Sequence, residues 1–290
     1  MQNNIFICSL LVFTATIFFV TNDAIINFLS PKGITFYHFI FYGSPTFFIV
    51  PLYLVFKGKL IYNIKCTNYF IPIIRSIIFL PLPFFTFISL KNITLPEYTV
   101  LNMSAPIFAI ISSILFLNEK INNLILLSLL FGLIGVYLVV QPGFDNFNPF
   151  YLLVLFAAFL ITTTSTIVNK YHYVTTPIGF FIYGGILTHL LSIILFLFDP
   201  LFIDIKTFIL ITVSGIVINL AICFMTIAFH KSIKFYGSLF CLCYFQILWS
   251  VIFGIVFFDE HLNFLAIFGA IFIILSGLIS IPAQYKQIKN

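Results

Sequence analysis

Asp23 is the residue whose placement most needs a chemical explanation, because it is a carboxylate inside an apolar stretch running from Phe6 to Leu29. A charge at the centre of a lipid-spanning helix costs about 2.5–3.5 kcal/mol, so it is expected to face a protein interior and to mark a binding or ion pathway. If the stretch ends near Leu29, Asp23 lies roughly 10 Å below that end at 1.5 Å per residue. Asn22 precedes it, and Tyr42 and Asn102 fall at similar depth in the second and fourth apolar stretches. A carboxylate beside amides and a phenol can hold a substrate ammonium group or carry a coupling proton. It can equally be a hydrogen bond between helices.

The second half of the chain offers Asn219, Tyr244 and Gln246, uncharged groups near the middle of their stretches and suited to a polar metabolite. Single amides also serve as interhelical contacts of modest strength. Thr162, Thr164 and Thr166, within the hydroxyl run 162–166, are candidates for an inner vestibule. Hydroxyls in lipid commonly bond back to their own helix instead. Pro106 is expected to bend the helix that carries Asn102, since proline leaves a carbonyl one turn earlier without its donor.

Catalysis finds little support. His38, His172, His189, His230 and His261 are scattered without metal-ligand spacing, and Cys241 and Cys243 have no histidine nearby, so neither a metal nor another cofactor is expected. An enzyme would need convergent nucleophile, base or metal ligands, and a channel would need charged rings or a filter loop. Neither pattern occurs. The five cysteines are odd in number and four lie in apolar stretches, which favours small buried thiols over a disulfide framework.

The elements that must position these residues follow from composition. The 290 residues are 62% hydrophobic and 7% charged with a mean hydropathy of +1.19, far more apolar surface than a soluble core can hide. The net charge of +5 is dispersed over helix ends, without the basic face that nucleic acid requires. Ten stretches reach the roughly 20 residues needed to cross a bilayer. They lie near 5–29, 34–56, 69–90, 95–117, 122–140, 149–169, 174–198, 206–229, 235–258 and 262–281. The first lacks the basic region and cleavage site of a secretory signal and is kept as a span.

With the N-terminus inside, the cytoplasmic segments receive Lys57, Lys59, Lys65, Lys120, Lys170, Lys231, Lys234, Lys286 and Lys289, against Lys32, Lys91 and Lys206 outside. That asymmetry places both termini in the cytoplasm of a cell whose cytoplasmic (inner) membrane holds the chain. Arg75, near the inner end of the third span, is expected to snorkel to the interface or pair with a neighbour.

A repeat organises the whole. Leu117-Asn118-Glu119-Lys120-Ile121-Asn122 closes the fourth span and Phe258-Asp259-Glu260-His261-Leu262-Asn263 the ninth, at an offset of 141 residues (260 − 119). At that offset Tyr42-Gly43 meets Tyr183-Gly184, Ser128 meets Gly269 and Gly135 meets Ser276. Five spans per half is odd, so the fold class expected is an all-α integral membrane protein of ten transmembrane helices in two inverted five-helix repeats, 1–143 and 144–290. Glu119 and Glu260 then anchor helix ends at opposite faces. Carriers use such a pseudo-two-fold arrangement with a substrate site at mid-membrane.

The segment Leu90–Gly143, with its Leu-Lys pair, Pro106, Phe116-Leu117-Asn118-Glu119-Lys120 and glycine-bearing fifth helix, resembles the repeat unit of the EamA-type drug/metabolite transporters. Arg75-Ser76 is similar to an Arg-Gly of that family. Ile247 departs from it where the first half has Pro106, as does Tyr42 where relatives often carry Arg. The resemblance implies a secondary transporter of a small organic metabolite, with the Asn22-Asp23 pair pointing to an amino-acid-like or cofactor-like substrate. A multidrug or cationic-amphiphile exporter is the alternative. Proton coupling through Asp23 is one reading, and neither the direction of transport nor the oligomeric state is legible.

A reporter that works only in the cytoplasm should be active when fused after Asn290 and silent when inserted after Gly143. The reverse pattern would overturn the orientation.

Overall fold

The computed structural model describes residues 2–29, 33–93, 95–140, 148–258 and 264–289, and among these there are helices and no strands. The helices are α1 (Gln2–Leu29), α2 (Phe36–Phe56), α3 (Leu60–Ile64), α4 (Phe70–Phe79), α5 (Leu82–Asn92), α6 (Leu95–Asn102) and α7 (Ala105–Leu117) in the first half. They continue as α8 (Asn123–Val140), α9 (Phe150–Lys170), α10 (Pro177–Phe198), α11 (Ile205–Lys231), α12 (Tyr236–Phe240), α13 (Phe245–Phe258) and α14 (Phe264–Lys289). Nine apolar segments among the described residues are long enough to cross a membrane, and α8 is a shorter apolar tenth. The protein is therefore an all-α membrane protein of ten spans, with α4 and α5 sharing the third, α6 and α7 the fourth, and α12 and α13 the ninth.

The three breaks have local causes. Between α4 and α5 the run Leu80-Pro81-Leu82-Pro83 removes two backbone donors. Between α6 and α7, Pro106 has no N–H for the Asn102 carbonyl, and the chain restarts at Ser104, whose carbonyl accepts from the N–H groups of Ile107 and Phe108. The ninth span breaks at a 3-10 turn, Cys241–Tyr244, without any proline. At the repeat offset this turn corresponds to residues 100–103, so the second half interrupts its helix where the first does, without a proline.

Packing follows the repeat. The first span lies on the eighth and the sixth on the third; the second lies on the eighth and the seventh on the third; the fourth lies on the sixth and the ninth on the first. The fifth pairs with the tenth, the second with the seventh and the fourth with the ninth. Exchanging each span for the one five places along leaves this set of neighbours unchanged. The segment that joins the halves, and Glu260, lie outside the described residues.

Direction is fixed by the α8–α14 contact. Asn122 donates to the Ala283 carbonyl at 3.1 Å, the Ser128 and Ser276 hydroxyls donate to each other's carbonyls at 2.9 and 2.7 Å, and Gly135 faces Gly269. Partner numbers fall along α14 as they rise along α8, so the two helices run antiparallel. A Cβ on Gly269 would stand 2.7 Å from the Gly135 carbonyl oxygen, which is why only glycine fits. At the other end of the chain order, Ser9 donates to Gln284 at 3.3 Å, bringing the start of α1 and the end of α14 to one face.

Gly269→Val should push α14 off α8 and destabilise the protein by about 1–3 kcal/mol, read as a lowered unfolding temperature in detergent. An unchanged unfolding temperature would mean the two backbones do not approach this closely.

Candidate functional site

A cavity of about 260 Å³ lies between the halves, reached by every span except the fifth and tenth. Its walls are mostly aromatic and aliphatic, with a few polar groups set into them, which is the usual make-up of a small-molecule site. Its polar groups come from two levels.

At the first level, Asp23 and Asn22 on α1 turn inward. Asn22 donates to Asp23 at 3.2 Å and accepts from Ser214 on α11 at 2.7 Å, while Gln246 on α13 reaches the Asp23 carboxylate at 3.4 Å. The carboxylate thus links the two halves across the cavity. Asn102 joins the same lining from the break above α7, and Asn219 donates to Thr46 and to the Gly215 carbonyl, each at 2.9 Å.

At the second level sits Arg75. It is 4% exposed, and instead of snorkelling to the interface it turns into the cavity, because α4 packs this face against α10 and α9. One Nη donates to the Phe180 carbonyl at 2.6 Å, the other to Thr226 at 3.4 Å, and the guanidinium centre lies 5.9 Å from the Phe79 ring. A Cβ on Gly184 would overlap Nη1, so the glycine of the Tyr183-Gly184 pair makes room for this side chain.

The remaining candidates lie elsewhere. Tyr42 is outside the cavity, its hydroxyl donating to the Leu201 carbonyl at 2.6 Å and its ring against Phe196 and Phe208. Tyr244 is fully buried behind the wall, with its ring over Gly132. Thr164 lines the cavity, whereas the Thr166 hydroxyl meets that of Tyr236, which also donates to the Thr162 main-chain carbonyl, and all three threonine hydroxyls donate to carbonyls of their own helix. His189 accepts or donates at Ser44, 2.9 Å away, and stacks on Phe47.

Both ends of the cavity are tied across the halves. At the face that carries the termini, Glu119 accepts from the backbone N–H groups of Tyr236 at 2.7 Å and Gly237 at 3.0 Å and from the Gln287 side chain at 3.3 Å. Burial pushes its carboxyl above the ordinary range, and these donors draw it part of the way back. At the opposite face Tyr37 and His38 bond to Asp199, and Asn148 donates to the Asn92 carbonyl at 3.4 Å. Sequence reasoning missed Arg75, Thr188 and Thr226 as lining groups. The intramembrane charge of Arg75 was the available signal, and its nearness to the start of α4 obscured it.

A ten-span helical fold with an aromatic, charge-bearing cavity between two like halves is the architecture that carriers use. Residues 3–141, just under half of the sequence, match the EamA-like transporter family. A protein of Helicobacter pylori named as an uncharacterized transporter is 28% identical over 213 residues, 70% of this chain and 71% of that one. A protein of Rickettsia bellii named as an S-adenosylmethionine uptake transporter is 26% identical over 178 residues, 59% of this chain and 58% of its own. A solved crystal structure superposes with a TM-score of 0.73 over 94% of this chain and 96% of its own at 16% identity, a likeness of fold alone.

Tyr42→Phe should leave uptake at the wild-type rate while lowering stability by about 0.6 kcal/mol, the usual worth of one interhelical hydrogen bond in a membrane protein. Loss of uptake with unchanged stability would return the Tyr42 hydroxyl to the site.

Proposed function

We propose that this protein is a secondary transporter that moves a small organic metabolite across the cytoplasmic membrane by alternating access, with both termini in the cytoplasm. The observation that carries this reading is the Asp23 carboxylate, held in the cavity by Asn22 of its own half and Gln246 of the other. A ligand that binds there touches both halves, so their relative position and ligand occupancy are coupled. The halves 1–143 and 144–290 act as the inverted repeats that rock about this site, breaking the hydrogen bonds at one face while those at the other persist.

The relatives named for S-adenosylmethionine uptake favour an amino-acid-like or cofactor-like substrate over a simple cationic amphiphile. Asp23 serves either a positive group of that substrate or a coupling proton, and the two roles separate on pH.

Labelled S-adenosylmethionine and a library of amino acids and nucleosides, tested in proteoliposomes with an imposed pH gradient, should show uptake that Asp23→Asn reduces at least about tenfold, a difference of about 1.4 kcal/mol. If the carboxylate binds a cationic group, affinity falls at every pH at which the wild-type carboxylate is ionised. If it carries the proton, the pH dependence flattens while exchange at equilibrium survives. Normal insertion with wild-type flux and unchanged pH dependence would remove Asp23 from the mechanism.

A further inference from the structure

Arg75 is a buried cation with no counter-ion among the described residues. Among the described residues no carboxylate comes within 4.0 Å of it, the single ion pair found being His38 with Asp199. Its guanidinium has five N–H donors, and the Phe180 carbonyl and the Thr226 hydroxyl engage two of them. Nε is buried with no partner, and so is the hydroxyl of Thr188, which lines the same cavity one turn beyond Gly184. Unpaired donors on a buried charge are costly, and a planar fork of N–H groups matches a carboxylate in two-pronged fashion.

The distance to Asp23 sets the shape of what fits. Asn22, next to Asp23, bonds to Ser214 and Arg75 bonds to Thr226, so the two levels are twelve residues apart on α11. At 1.5 Å per residue that is about 18 Å. Allowing about 3 Å for a hydrogen bond at each end leaves about 12 Å of ligand. A compact α-amino acid, whose ammonium and carboxylate share one carbon, cannot touch both.

We propose that Arg75 is a carboxylate-binding group and that the substrate is an elongated amino-acid conjugate, its carboxylate on Arg75 and a cationic or hydrogen-bond-donating group at its far end on Asp23. This rests on the transport reading for its biological meaning, but it predicts a binding preference that needs no flux. Gly184 provides the space for the guanidinium, and the aromatic wall between the two levels receives the body of the ligand.

The test is equilibrium binding to detergent-purified full-length protein, followed by thermal shift and calorimetry. S-adenosylmethionine and S-adenosylhomocysteine are each compared with their decarboxylated forms, and methionine serves as the compact control. In the wild type at least one carboxylate form should bind tenfold or more tightly than its decarboxylated counterpart and tenfold or more tightly than methionine. Arg75→Gln should abolish the preference while retaining the weaker binding of the decarboxylated form, and Arg75→Lys should keep part of it. Gly184→Ala keeps the cation but displaces it, so the preference should fall there too, which covers the case in which Arg75→Gln fails to fold. A purely structural Arg75 would lower the unfolding temperature on substitution without moving the ratio of the two affinities. Equal affinity for carboxylate and decarboxylated forms, binding of none of the compounds, or a preference that survives Arg75→Gln would each overturn the proposal. Carboxylate preference without uptake of any compound into proteoliposomes would refute transport and leave the subsite standing. Uptake without preference would do the reverse.

Discussion

Charge that enters a bilayer has to be given a polar surrounding by the protein, and that requirement shapes this molecule more than any other. Asp23 and Arg75 both come from the first half and both stand in apolar spans. They are not paired with each other, and each is held at its own level by neutral donors or acceptors. Mutual neutralisation would have closed the space between them. Keeping them apart leaves a cavity with a negative and a positive end, walled by phenylalanines that exclude water and strengthen whatever polar contact is made inside.

The frame around the cavity is symmetrical while its chemistry is not. At the repeat offset Asp23 corresponds to Thr164, Gly43 to Gly184, Asn102 to Cys243 and Ala105 to Gln246, and all eight line the cavity. Two of these pairs exchange a polar group for a small or apolar one, so each half supplies what the other lacks at the same geometric position. Arg75 has Ile216 as its counterpart, a residue 41% exposed on the outside of the bundle. Positions related by the offset share the cavity wall while their side chains differ, which gives the site distinct ends.

The spans, their number and the close packing of small residues were legible because each rests on a short-range rule: about 20 apolar residues to cross lipid, and glycine or serine where backbones touch. Ser128, Gly135, Gly269 and Ser276 do lie where two helices pack closely, but they meet as Ser128 with Ser276 and Gly135 with Gly269 and not in the offset pairs, because α8 and α14 run antiparallel. The bend at Pro106 was visible for the same reason. The matching interruption at Cys241–Tyr244 was not, since no proline or glycine marks it. Depth along a helix could be counted, but rotation about its axis could not, because these spans are apolar all round. Tyr42 and Arg75 show the consequence. Tyr42 has the right depth and faces α10 and the Leu201 segment, and Arg75, counted as near an interface, turns inward.

One helix of the second half bears on both charges of the first. Along α11, Ser214 meets Asn22 beside Asp23, Gly215 lies against Gly43, Asn219 meets Thr46, and Thr226 meets Arg75. The Gly43–Gly215 approach, with a Cβ on Gly215 only 3.1 Å from Gly43 Cα, is the closest backbone contact in that series and a natural pivot. In the rocking proposed for the halves, rotation about it would move the Ser214 end and the Thr226 end of α11 in opposite senses relative to α1 and α4. Because Gly215 lies one residue from Ser214 and eleven from Thr226, such a rotation would displace the Arg75 level much further than the Asp23 level.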